Sequence, residues 1–235
     1  MNFRPLAFFA CIFVFPLLSS AQVKETSAWG AWFNSTRISK KVGVHFDGQV
    51  RSSNDVESVK NVLIRPGVTW FIDDSKNVTA GYALVKTFNR ADGAASNNLT
   101  EHRIWEQFIY AHKISPLNLT HRLRLEQRFI EQASQDVFSQ RLRYFVRALV
   151  PLRKPDDVPF SKGAFFALQN EVFLNIQNKD ELNGSLVDQN RAYAAVGYRF
   201  SPAVDLEAGY LNQAIKGSGR NVLNNVIQLA VYTRF

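Results

Sequence analysis

The stretch Leu119-Thr120-His121-Arg122-Leu123-Arg124-Leu125-Glu126-Gln127-Arg128-Phe129 decides how this chain folds. Leu119, Leu123, Leu125 and Phe129 share one parity, while Arg122, Arg124, Glu126 and Arg128 share the other. Successive side chains of a strand point to opposite faces, so this is a strand with one apolar and one charged side. At helical spacing the same residues would be spread around the whole circumference.

Working outward, the alternation recurs. Phe138, Leu142, Tyr144, Val146 and Ala148 oppose Arg141, Arg143 and Arg147. Phe166, Leu168, Val172, Leu174 and Ile176 oppose Gln169, Glu171, Asn175 and Gln177, and Ala192, Ala194, Val196, Tyr198 and Phe200 oppose Arg191 and Arg199. About eleven segments read this way, near 27–36, 40–52, 60–73, 76–89, 101–114, 118–131, 137–151, 163–177, 189–200, 203–214 and 222–235. Most exceed the ~5–6 residues of a soluble strand and reach the ~9–11 that a tilted strand needs to cross a bilayer. No amphipathic helix competes with them.

The connections alternate too. Asp73-Asp74-Ser75-Lys76, Ser115-Pro116-Leu117-Asn118 and Ser201-Pro202-Ala203 are tight, whereas Asn89 to Thr100 and Asn178 to Asp188 are longer, polar and rich in Asn and Gly. Leu152 to Lys162, with Pro155, Asp156, Asp157 and Pro159, is a longer turn on the short side. Short turns at one end and long loops at the other characterise transmembrane barrels. The expectation is a single all-β domain, an antiparallel transmembrane barrel over residues 22–235. Both termini of such barrels normally lie in the periplasm, which requires an even strand number. Twelve strands are therefore expected, with ten as the fallback and residues 23–40 and 150–163 as the places where the count errs.

Residues 1–21 read as a cleaved secretory signal. Arg4 supplies the positive region, Leu6 to Leu18 the apolar core, and Ser19-Ser20-Ala21 the small residues at the cleavage position. Cys11 is the only cysteine and falls within that segment, leaving neither disulfides nor thiol chemistry to the exported chain. Val226 to Phe235 alternates and ends on an aromatic, the type of strand that the outer-membrane barrel assembly machinery reads. The expected location is the bacterial outer membrane, in contact with its lipid.

Lys and Arg number 28 against 20 Asp and Glu, a formal charge of +8. The basic residues are dispersed along strands instead of clustered on a surface, which argues against nucleic-acid binding. On the polar parity stand Arg103, Arg122, Arg124, Arg128, Arg141, Arg143, Arg147, Arg191, Arg199 and Arg234, with Glu126, Glu171, Asp205 and Glu207. Pointing into a lumen, they form either a narrow anion-preferring passage or a network of cross-strand ion pairs that plugs it. Trp29, Trp32, Trp70, Trp105, Tyr82, Tyr110, Tyr198, Tyr210 and Tyr232 are read as an interfacial aromatic girdle.

No catalytic motif is present: no GxSxG, P-loop or GxGxxG occurs, and His45, His102, His112 and His121 have no metal-ligand spacing. No catalytic, cofactor or metal site is assigned. His112 and His121 flank the Ser115-Pro116 turn on the apolar parity and are read as interfacial anchors. Two alternatives to a pore or plugged barrel stay open: an outer-membrane barrel that binds or modifies lipid, and a soluble lipocalin-like barrel holding a small ligand. The second requires apolar side chains inside and charged ones outside.

Several stretches resemble a family of bacterial outer-membrane proteins, domain of unknown function 2490. They are Trp29-Gly30-Ala31-Trp32-Phe33, Glu101-His102-Arg103-Ile104-Trp105-Glu106-Gln107, His121 to Phe129, Arg141-Leu142-Arg143-Tyr144, Asn170-Glu171-Val172-Phe173 and Asp188-Gln189-Asn190-Arg191-Ala192-Tyr193. The resemblance implies a barrel and transfers no catalytic residue.

Overall fold

The computed structural model describes residues 22–89, 97–132, 135–152 and 160–235. Residues 1–21, for which a cleaved leader is expected, and the residues Pro155, Asp156, Asp157 and Pro159 lie outside that description. The strands are β1 (Gln22–Arg37), β2 (Val42–Ser52), β3 (Val59–Phe71), β4 (Lys76–Asn89), β5 (Asn97–Ile114), β6 (Leu117–Ile130), β7 (Val137–Pro151), β8 (Gly163–Gln177), β9 (Val187–Ser201), β10 (Val204–Ile215) and β11 (Asn221–Arg234). Each pairs with its sequence neighbours, and β1 closes the sheet against β11. Closure leaves no strand edge unpaired, which solves the backbone hydrogen-bonding problem wherever water is absent.

Among the described residues the strands number eleven, as the alternating segments do, and not twelve or ten. An even number follows only where the closing pair is antiparallel, whereas β1 and β11 run parallel in register from Gln22↔Asn221 to Ser35↔Arg234. A parallel ladder satisfies the same N–H and C=O groups, so an odd barrel can close. The stretch 23–40 is a single strand and its turn, and 150–163 holds only the end of β7 and the first residue of β8, with no additional strand among the described residues. In consequence residue 22 lies at the long-loop mouth and Phe235 at the short-turn mouth, where its amide donates to the Ser35 carbonyl.

The tight turns have local causes. At the β3–β4 turn the Asp73 carboxylate accepts from the Ser75 amide at 2.7 Å and the Lys76 amide at 2.8 Å, an Asx turn that reverses the chain within four residues. The Ser75 hydroxyl and amide, with the Lys76 ammonium, hold the Asp73 carboxyl below the usual aspartate range.

Side-chain direction follows the alternation. Leu123 and Phe129 are each 47% exposed on the outer wall, whereas Arg124 is 1% and Glu126 0% exposed inside. The outer wall also presents Ile104, Phe108, Val196, Phe200, Leu206, Ile227 and Leu229. This polarity is the reverse of what a soluble ligand-carrying barrel requires. Three of the girdle aromatics are corrected: Trp29, Trp105 and Tyr232 face inward, whereas Trp32, Trp70, Tyr82, Tyr110, Tyr198 and Tyr210 are exposed.

Candidate functional site

The inward wall owes its architecture to rings lying over glycines. A Cβ on Gly81 would sit 2.5 Å from the Trp105 ring and 2.3 Å from the Pro66 carbonyl, and one on Gly67 would sit 2.9 Å from the same ring. Neither glycine is required for its dihedral angles; both are required for the space above them. Trp105, from the next strand, fills that space and is enclosed completely. Gly197 accommodates Phe165 in the same manner.

At the waist of the lumen stands Glu126. Arg141 donates to one carboxylate oxygen at 2.6 Å and Arg143 to the other. Arg65, Arg103 and Arg124 approach to 3.8–3.9 Å. From this hub, Arg141 reaches Asp188 at 2.9 Å, and Arg143 reaches Glu171, which also receives Arg122 at 2.7 Å. Arg65 is fixed by Asp47. The sequence Asp47–Arg65–Glu126–Arg143–Glu171–Arg122 therefore crosses the lumen from β2 and β3 to β8. A second strut joins Arg147 on β7 to Glu207 on β10. Nearer the mouths, Arg199 and Arg234 share Asp205, and Arg103 and Arg128 share Glu101.

All fourteen charged residues expected in the lumen are thus placed on its inner wall, and thirteen of them join ion pairs. Arg191 does not. The structure adds Arg51 and Arg65 to the cations and Asp47, Glu101 and Asp188 to the anions. Within 42–51, Val42, Val44, Phe46 and Val50 alternate with His45, Asp47, Gln49 and Arg51, a pattern that puts Asp47 and Arg51 on the charged side of β2, whereas the adjoining Pro66-Gly67 obscures Arg65.

Cations remain in excess. Arg51 donates to Gln49 at 2.6 Å and lies 4.1 Å above the Trp29 ring. Arg191 donates to Gln189 and is flanked by Trp29 at 5.1 Å and Phe173 at 4.8 Å. Arg124 donates to Gln107 at 2.7 Å and lies 4.6 Å from the Trp105 centroid, with Glu126 only at 3.9 Å. Amide oxygens and ring faces hold these guanidiniums without cancelling their charge.

The Glu126 layer separates two cavities. The one at the loop end measures about 260 Å³ and is lined almost wholly by polar groups, among them Arg51, Arg103, Arg128 and Arg141. The one at the turn end measures about 510 Å³ and mixes Arg122, Arg147 and His45 with Ile109, Phe145, Phe33 and Tyr232. Arg65, Arg143 and Arg191 form part of both walls.

His45 faces the lumen, and His102, His112 and His121 face outward. On the outer wall, His112 and His121 stack at 5.2 Å with 3.1 Å between their Nε2 atoms, Tyr110 stacks on His112, and Tyr144 meets His121 Nδ1 at 2.9 Å. Among the described residues no group of three metal-ligating side chains occurs.

A family model described as "Protein of unknown function (DUF2490)" matches residues 26–224. An uncharacterized protein of Methylorubrum extorquens is 25% identical over 209 residues, covering 87% of this chain and 86% of its own. Among solved structures, a NanC porin aligns over 85% of this chain and 94% of its own, with 12% identity and a TM-score of 0.49.

Proposed function

The chain belongs to the DUF2490 family, and from the geometry of its lumen we propose that it is an outer-membrane β-barrel forming a narrow, anion-preferring passage pinched at Glu126. The observation that carries this reading is the surplus of inward arginines: Arg51, Arg124 and Arg191 are held by amides and ring faces rather than neutralised by close carboxylates. In a narrow passage with low-dielectric walls such charges concentrate anions and repel cations. The exposed apolar belt supports contact with lipid, since a barrel in water would place those side chains inside. A cleaved leader at residues 1–21 and recognition of β11 by the assembly machinery complete the reading. A lipid-modifying role has less support, because His112 and His121 contact one another and two tyrosines, with no serine, threonine or cysteine nucleophile in the set.

Reconstitution in planar bilayers under a potassium chloride gradient tests the proposal. The expected result is a small conductance whose reversal potential favours chloride, and which moves towards zero selectivity in the Arg51→Gln, Arg191→Gln double variant. A folded barrel with no conductance step would instead be a plugged structural element.

A further inference from the structure

We infer that the turn-end chamber is a binding site for a small organic carboxylate with an apolar body, entered from the short-turn mouth. This deepens the anion-preferring reading by naming a ligand class for the same lumen.

The two cavities differ in chemistry. The loop-end cavity is polar throughout and suits hydrated ions, whereas much of the exposed wall of the turn-end chamber is apolar. At about 510 Å³ it falls in the ~300–1,000 Å³ range of small-molecule pockets. A passage for inorganic anions alone has no use for that apolar surface, and water gains nothing from it.

The turn-end chamber also holds a pair of unused hydrogen-bonding groups. Arg122 Nε and His45 Nε2 are buried in this chamber and have no hydrogen-bond partner. A buried polar atom without a partner costs roughly 1–3 kcal/mol. Such atoms mark places where an absent molecule completes the bonding. Arg122 spends its Nη2 on Glu171 and keeps Nε free. Its cross-strand neighbours are Ile109 and Phe145, and its guanidinium lies 4.5 Å from the Phe145 ring centroid. A guanidinium N–H between two apolar side chains is a strong carboxylate donor, because little water competes for it. Ile109, Phe145 and Leu149 then receive the apolar body, while His45 Nε2 meets a second polar atom of the ligand.

The chamber's inner end adds to this. Arg65 and Arg143, both held at Glu126, line it together with Arg122 and His45, so a ligand entering from the turn end meets guanidiniums where the passage is pinched.

Titration calorimetry on the full barrel in detergent tests this, with benzoate as the probe and benzyl alcohol, gluconate and chloride as controls. Saturable binding of benzoate alone is expected. Arg122→Gln is expected to weaken it by at least about tenfold, and this substitution leaves Glu171 paired with Arg143. Retained heat-modifiable migration in gels confirms that the variant barrel is folded. Equal binding of benzyl alcohol would overturn the role of the charge, and equal binding of gluconate that of the apolar wall. Unchanged affinity in folded Arg122→Gln, or no saturable heat with benzoate, would overturn the site. Calorimetry needs no conduction, so a barrel that binds benzoate yet passes no current sinks the passage and keeps the site. The reverse result sinks only the site.

Discussion

Glu126 is the residue on which the lumen turns. One carboxylate is enclosed by five arginines, two of which donate to its oxygens. Removing its charge while keeping its shape leaves those guanidiniums facing each other in a desolvated interior. Breaking one side of a buried ion pair costs about 3–5 kcal/mol, so Glu126→Gln is expected to lower the urea midpoint of barrel unfolding by a corresponding amount. A midpoint equal to wild type would mean that water already screens the hub. Gly81 is the complementary case, since its role is steric. Gly81→Ala places a methyl against the Trp105 ring and the Pro66 carbonyl, and overpacking of this type costs about 1–3 kcal/mol. The pairing of Gly67 and Gly81 with Trp105 was not legible in the sequence. The ring and its bed come from three strands, and Trp105 looked like one more interfacial aromatic.

Among the elements, the β1–β11 seam departs furthest from expectation. Every other strand pair is antiparallel and joined by a turn or loop, so its existence and approximate limits could be read from alternation. The seam joins segments about two hundred residues apart, and no local pattern encodes whether they meet in parallel. Ala31 and Ala230 are register partners across it and both side chains point inward. Because Cys11 is the only cysteine of the chain, Ala31→Cys with Ala230→Cys gives a clean test. Oxidation is expected to link them and to produce a faster-migrating denatured band. An evenly numbered, antiparallel closure would shift that register and leave the thiols free.

On the scale of the whole molecule, a charged interior is enclosed by a largely apolar exterior, and Glu106 is a charged exception to the latter. It is exposed on the outer wall between Ile104 and Phe108 on its own strand, with Ala80 and Leu125 across from it. Its hydrogen bond comes from Gln127 at 3.1 Å, and no cation reaches it among the described residues. If that wall faces lipid, Glu106→Leu is expected to stabilise the barrel in bilayers by about 1–2 kcal/mol. In water-exposed surroundings the same change would give no gain. Folding titrations in phospholipid vesicles measure the difference.

The sequence by itself determined the strands, which face of each is charged, and that these faces meet in a common interior. A period of two is local and is written residue by residue. It also supplied the fourteen lumen charges, because a closed sheet sends one parity inward regardless of how many strands it has. Only the tertiary structure decided the strand number, the parallel closure, the hub at Glu126 and the division into two chambers. Those depend on which residues of distant strands stand at the same height in the barrel. That height is set by register and strand tilt accumulated around the whole circuit, quantities that no single strand contains.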